Sequence, residues 1–233
     1  MERLIRPTAD ELARAVASGI VDRLTAALQQ RNEAHLCLTG GTIAAVVYRE
    51  LAASSADVDW SRVHLWWGDE RFVPSGDADR NDLAAQRSLG SSIWDATIRH
   101  PMPALPEGEN ADGPALDAAA AVYAGEVAGT RFDLCLLGVG PDGHIASLFP
   151  GHPGIAATEP AIAVRDSPKP PPERISLSLP VINSSAEVWL IVAGAEKAAA
   201  VADARLPDST LPAAQASGAL STIWWLDEAA ASA

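Results

Sequence analysis

The chain has 233 residues, 48% of them apolar and 20% charged, with a net charge of −13 at pH 7. Such a length buries a sizeable core, and no window is apolar over the roughly 18 residues of a membrane span. The acidic balance argues against nucleic acid or an anionic membrane as partner, yet it admits a small anionic ligand, because local cations can outweigh a global field.

The first residues carry acids early and lack a signal-type apolar stretch, so a cytoplasmic address is expected. Thr8-Ala-Asp-Glu11 is a capping box. Leu12, Val16, Ile20, Leu24 and Leu28 follow at helical spacing and predict a helix of about five turns. Residues 35–39 read as a short buried strand running into Gly40-Gly41-Thr42 and a helix over 43–53. A second strand, 63–67, ends at Gly68-Asp-Glu-Arg71. Residues 81–93 look helical, 101–113 form a Pro/Gly/acid-rich loop, and 115–127 an alanine-rich helix. Residues 132–139 are almost unbroken apolar, the mark of a strand covered on both faces.

Beyond them, 161–164 is a further strand and 166–174 a stiff, proline-rich extended segment. Residues 175–179 alternate with period two, as in a strand with one face less buried. Residues 187–193 are another buried strand, leading through Gly194-Ala-Glu-Lys197 to a helix ending at 204. The last strand covers 223–226. Strands alternating with helices predict one α/β domain over 1–233, a doubly wound, mainly parallel sheet flanked by helices. Cys37 and Cys135 read as small buried hydrophobes, and the tryptophan pairs at 66–67 and 224–225 as core packing.

Four loops follow predicted strands, and a parallel sheet brings all four to one edge, where such folds bind ligands. Gly40, Gly41 and Thr42 offer backbone N–H groups at a helix start, suited to an anion. Asp69 and Arg71 supply a carboxylate and a guanidinium that can grip phosphate or carboxylate. Gly138 to His144 places one imidazole, His144, beside one carboxylate, Asp142. An imidazole with a pKa near 6.5 can take a proton from water near neutral pH, and the two residues need not bond directly. Lys197 sits at the first turn of a helix, where a cation opposes the dipole unless an anion is bound. Lys169 and Lys197 are the only lysines among 17 basic residues. No histidine pair has His-x-x-x-His spacing, so no metal is expected. There is no Gly-x-Ser-x-Gly elbow.

Together these loops resemble the 6-phosphogluconolactonase family. The matching pieces are Leu38-Thr-Gly-Gly-Thr42, Trp67-Gly-Asp-Glu-Arg-Phe-Val-Pro74 with Asp79-Arg-Asn81, and Leu137-Gly-Val-Gly-Pro-Asp-Gly-His-Ile-Ala-Ser-Leu-Phe-Pro150. Ser167-Pro-Lys-Pro-Pro-Pro-Glu-Arg-Ile-Ser-Leu-Ser-Leu-Pro180 and Val192-Ala-Gly-Ala-Glu-Lys-Ala198 also match, with Pro212-Ala-Ala as a weaker echo. The resemblance implies the fold of glucosamine-6-phosphate deaminase and ribose-5-phosphate isomerase. It implies hydrolysis of 6-phospho-D-glucono-1,5-lactone to 6-phosphogluconate, the second step of the oxidative pentose phosphate pathway.

By position, His144 then looks like the general base, Asp142 its companion, and Asp69 a further acid. Gly41, Thr42, Arg71, Arg174 and Lys197 look like substrate or phosphate contacts, with Gly40 in the same turn. Arg80 stands where the family often has serine. No cofactor or metal is needed, because a lactone is already an activated ester. The implied partner is a small phosphorylated sugar lactone, and the expected state is a monomer or weak homodimer. Two alternatives share this fold. A deaminase or isomerase of this fold continues from the same loop into Phe-Asn-Glu-Pro, whereas Ser147-Leu-Phe-Pro150 carries no acid. A non-catalytic sugar-phosphate sensor usually adds a basic helix-turn-helix, for which this acidic chain has no room.

Overall fold

The computed structural model describes residues 2–54 and 57–233. The Thr8 side chain accepts the Glu11 N–H at 3.2 Å and starts helix α1, Ala9–Gln30. Its buried stripe of Leu12, Val16, Ile20 and Leu24 is the one the spacing predicts. The parallel sheet contains β2 (Ala34–Leu38), β3 (Val63–Trp67), β6 (Leu134–Gly138), β9 (Glu187–Val192) and β10 (Ser221–Asp227), close to the predicted strands. Two further strands lie at its edges, β1 (Glu2–Arg6) and β5 (Ile98–Arg99). Among the described residues the order is β1-β10-β9-β6-β2-β3-β5, all parallel. The edge strands were not expected: β1 is mostly exposed and β5 is two residues long, so neither shows an apolar run.

A second sheet, also unexpected, is antiparallel: β4 (Asp69–Arg71), β8 (Arg174–Leu177) and β7 (Ala161–Val164). It corrects two readings. All four residues of β8 are buried, because its serine face is covered too: the Ser176 Oγ accepts the Ser147 N–H and donates to the Leu177 carbonyl. The stretch over 166–174 is also not extended. The Ser167 N–H reaches the Pro172 carbonyl at 3.0 Å and the Ser167 Oγ reaches Lys169 O, closing a bend.

Helices α2 (Thr42–Ser54), α3 (Asn81–Trp94) and α4 (Pro114–Val127) complete the layers. Successive β3 side chains show that both faces are covered: Trp67 meets Trp94 of α3, and Trp66 meets Tyr123 of α4. The chain's two tyrosines are buried at strand ends. The Tyr48 hydroxyl bridges N and O of Thr39, just past β2, and the Tyr123 hydroxyl bridges N and O of Trp67. They satisfy peptide groups at the points where two functional loops begin. Cys37 and Cys135 face each other across β2 and β6, buried and unbonded. The tryptophans at 66, 67, 224 and 225 are buried as core.

Candidate active site

In the sheet order the strand sequence reverses direction between β2 and β6, the point at which open α/β sheets bind ligands. A cavity of about 640 Å³ opens there. All four strand-end loops line it: Gly40, Gly41 and Thr42; Asp69 and Arg71; Gly140 and His144; Gly194 and Lys197. Arg174 lines it as well, so of the nine site residues read from the sequence only Asp142 is not in the wall. Asp142 instead stands directly behind His144.

The His144 Nδ1–H donates to Asp142 Oδ1 at 2.5 Å, a direct contact that the sequence did not require. It fixes the tautomer and leaves Nε2 as the free lone pair. The pair lies across a glycine: a Cβ on Gly140 would sit 2.0 Å from His144 Nδ1 and 2.5 Å from Asp142 Oδ1. Gly140 also donates its N–H to the His144 carbonyl, and Gly143 donates to the Gly140 carbonyl, so the turn closes on itself. Ala213, in the short helix Pro212–Gln215, donates to the Gly143 carbonyl. That gives the weak Pro212-Ala-Ala motif a role in bracing the loop.

Burial lowers the His144 pKa below 6.5, and nearby Lys169 adds to this, against the hydrogen bond and charge of Asp142. Part of that burial comes from Phe149, whose ring lies 4.6 Å from the imidazole. Burial pushes Asp142 upward, but its bond to His144 and the imidazole charge outweigh this and hold it below the ordinary carboxylate range. The result is a neutral imidazole backed by a carboxylate at neutral pH.

Asp69 is buried rather than free. It accepts the Ser147 hydroxyl at 2.7 Å, and Arg174 Nη1 stands 3.7 Å from it. Arg174 also donates to the carbonyls of Lys169, Pro170 and Pro171, so it clamps the 167–172 bend onto the site. Asn81, at the start of α3, donates to the Asp69 carbonyl and accepts from Arg71 Nη1. Its side chain fits because Gly40 lacks a Cβ, which would approach Asn81 Oδ1 to 2.2 Å. Glu70 accepts the N–H groups of Asn81 and Asp82 and thereby caps α3, whose own N-cap residue, Arg80, makes no such bond. Arg80 is buried, paired with Asp82 and bonded to the Met102 carbonyl, and does not line the cavity. Its place in the family motif is therefore filled by a structural anchor.

Lys169, left open by the sequence, does line the cavity. Burial lowers its pKa, Asp142 raises it, and Lys197, Arg174 and Arg71 lower it further. Four cations thus converge on one cavity of a strongly acidic chain. Asn81 and Ser147 were visible only as motif letters, because their work is done through hydrogen bonds to other side and main chains: Asn81 to Asp69 and Arg71, and Ser147 to Asp69.

The family described as glucosamine-6-phosphate isomerases/6-phosphogluconolactonase matches residues 7–225. A 6-phosphogluconolactonase of Streptomyces coelicolor is 46% identical over 240 aligned positions, covering 95% of this chain and 90% of that protein. The solved structure of 6-phosphogluconolactonase from Trypanosoma brucei superposes with a TM-score of 0.88 at 25% identity, covering 99% of this chain and 97% of the other. A monomeric glucosamine-6-phosphate deaminase shares the fold, with a TM-score of 0.73 at 21% identity and coverage of 100% and 99%.

Proposed function

The chain belongs to the glucosamine-6-phosphate isomerase/6-phosphogluconolactonase family, and from that premise we infer that it hydrolyses 6-phospho-D-glucono-1,5-lactone to 6-phosphogluconate. The observation that carries the reading is the neutral imidazole of His144, its Nε2 free, lining a cavity to which four cations are drawn. The substrate phosphate docks on Lys197, Lys169 and the first turn of α2. That binding orients the lactone, so contacts remote from the reacting carbon serve positioning. His144 Nε2 takes a proton from water, and the water oxygen bonds to C1. Arg71 steadies the oxyanion of the tetrahedral intermediate. As the C1–O5 bond breaks, His144 returns the proton to O5, and the open-chain acid leaves.

Asp142 holds the imidazole tautomer and stabilises the imidazolium that forms. Asp69 orders Arg174 and Asn81 around the cavity. Phe149 immediately precedes Pro150, where the deaminase motif carries its acid, and its ring packs on His144. An apolar ring there supports ester hydrolysis over proton shuttling on an amino sugar. Both sheets share one apolar core, which supports treating residues 1–233 as one unit. No helix among the described residues is long and apolar enough to cross a membrane. The reading gives the enzyme a cytoplasmic address, since its substrate is a charged phosphate ester, and a monomeric or weakly dimeric state.

The direct test is product analysis. Purified protein is expected to convert the phosphorylated lactone to 6-phosphogluconate and to release no ammonia from glucosamine 6-phosphate; ammonia release without lactone turnover would replace the reading with deamination. The pH profile supplies a second test. The working form of His144 is neutral and its pKa is lowered. Activity is therefore lost only as pH falls through that lowered value. We expect kcat/KM to rise through an inflection below pH 6.5 and to be flat through neutrality. An inflection above pH 7 would contradict the role of His144.

A further inference from the structure

Three histidines outside the active site meet on one sheet face. His35 and His64 are register partners on β2 and β3, and His100 follows β5. Each is several residues from any other histidine, so spacing along the chain does not reveal the group; parallel register assembles it. The rings of His35 and His64 lie 4.6 Å apart, and those of His64 and His100 5.2 Å. From the strand rise, His35 lies ~13 Å before the turn that opens the catalytic cavity.

When all three rings are neutral, the hydrogen bonds set their tautomers. His100 Nδ1 faces Glu126 at 2.7 Å and must carry a proton. With His100 neutral, its Nε2 accepts from His64 Nδ1, at 2.9 Å. The neutral His64 then presents a bare lone pair at Nε2, and what it faces is a Glu33 carboxylate oxygen 3.6 Å away. Two acceptors turned toward each other repel unless a cation lies between them. The other Glu33 oxygen is 3.4 Å from His35 Nε2. Arg31, the nearby guanidinium, is engaged by Asp133.

We propose that Glu33, His35 and His64 bind a divalent transition-metal ion of the Zn2+ type. Two nitrogens and one carboxylate form a donor set that suits zinc, nickel or copper better than magnesium or calcium. With bonds of about 2.0–2.1 Å, tetrahedral ligands stand ~3.4 Å apart. Glu33 Oε1 stands 3.4 Å from His35 Nε2 and Oε2 stands 3.6 Å from His64 Nε2, each near that spacing, so one carboxylate spans both rings; one ligand atom from each residue lies within 4.8 Å of the others. The His100–Glu126 relay behind His64 is the kind of support that orients a metal-binding imidazole and raises its basicity. One adjustment is needed. The Trp66 indole N–H donates to His35 Nδ1, so metal entry moves the His35 proton from Nε2 to Nδ1 and opens that bond. One neutral hydrogen bond is small beside a metal–imidazole bond. Glu33 is exposed, which leaves the fourth coordination position to water. The ion would tie β2 to β3.

Titration calorimetry with zinc chloride tests this on the intact protein. The expected result is one Zn2+ per chain, with affinity reduced at least about tenfold by His64→Ala and by Glu33→Gln, and about 10–100-fold by His100→Ala. His144→Ala should bind as the parent does. At a hundredfold excess over Kd the Tm of the parent should rise by ~5–10 °C, and Mg2+ should leave it unchanged. The proposal fails if the parent shows no saturable Zn2+ binding or if His64→Ala and Glu33→Gln bind as tightly as the parent. It fails equally if binding is lost in His144→Ala, which would place the ion at the catalytic loop.

Discussion

Replacing His144 with alanine is expected to lower kcat by about 10²–10⁴ with little change in KM. The imidazole has one free nitrogen, Nε2, and its lowered pKa keeps that nitrogen unprotonated at neutral pH. Because the phosphate is held by other residues, losing the base removes an interaction made only in the transition state. Side-chain hydrogen bonds of His144 beyond Asp142 do not build the loop; the backbone contacts of Gly140 and Gly143 and the brace from Ala213 do. The variant should therefore unfold close to the parent Tm. Steady-state kinetics and a thermal melt separate the two effects. Turnover near the parent value, with the fold intact, would remove His144 from the base role.

Arg174→Ala is expected to lower stability by about 3–5 kcal/mol, the range for removing one partner of a buried charge pair. For a chain of this size that corresponds to a fall in Tm on the order of 10 °C. Arg174 and Asp69 are 4% and 6% exposed. Burial disfavours the guanidinium charge and Asp69 favours it. Without Arg174, the Asp69 carboxylate keeps the Ser147 hydroxyl but loses its cation. The carbonyls of Lys169, Pro170 and Pro171 lose their donor as well, so the bend carrying Lys169 loosens and kcat/KM should fall too. Arg174→Lys should rescue little, since a single ammonium cannot reproduce a fork of donors reaching three carbonyls and a carboxylate. A Tm within two degrees of the parent would show that the clamp contributes little.

The five interior strands of the parallel sheet were legible because each carries an apolar run, and β2, β3, β6 and β9 also run into glycine at their ends. The edge strands β1 and β5 were not, since an exposed edge or a two-residue pairing leaves no such run. The antiparallel sheet was half legible: residues 161–164 and 175–179 read as strands, while Asp69–Arg71 read only as a loop. Three polar residues give no β signal, and their pairing with β8 comes from distant chain. The bend at 167–172 was misread for a related reason. Proline richness predicts extension, but Ser167 and Arg174 gather the carbonyls of that segment into a closed turn.

By itself the sequence placed the Gly40–Thr42 turn, Asp69, Arg71, His144 and Lys197 at one edge, while Arg174, which opens antiparallel β8, came from the family resemblance alone. It could do so because a parallel sheet collects every strand-end loop on one side, whatever the details. Tertiary structure decided what each group does there. Asp142 bonds to His144 because Gly140 leaves room beneath both. Asp69 is a buried anchor because Ser147, Asn81 and Arg174 close around it. Lys169 reaches the cavity because Arg174 folds its segment inward. His35, His64 and His100 meet because register, and not spacing, brings strands together. Chain order determines which loop follows which strand; hydrogen-bond partners and proton positions depend on neighbours in space.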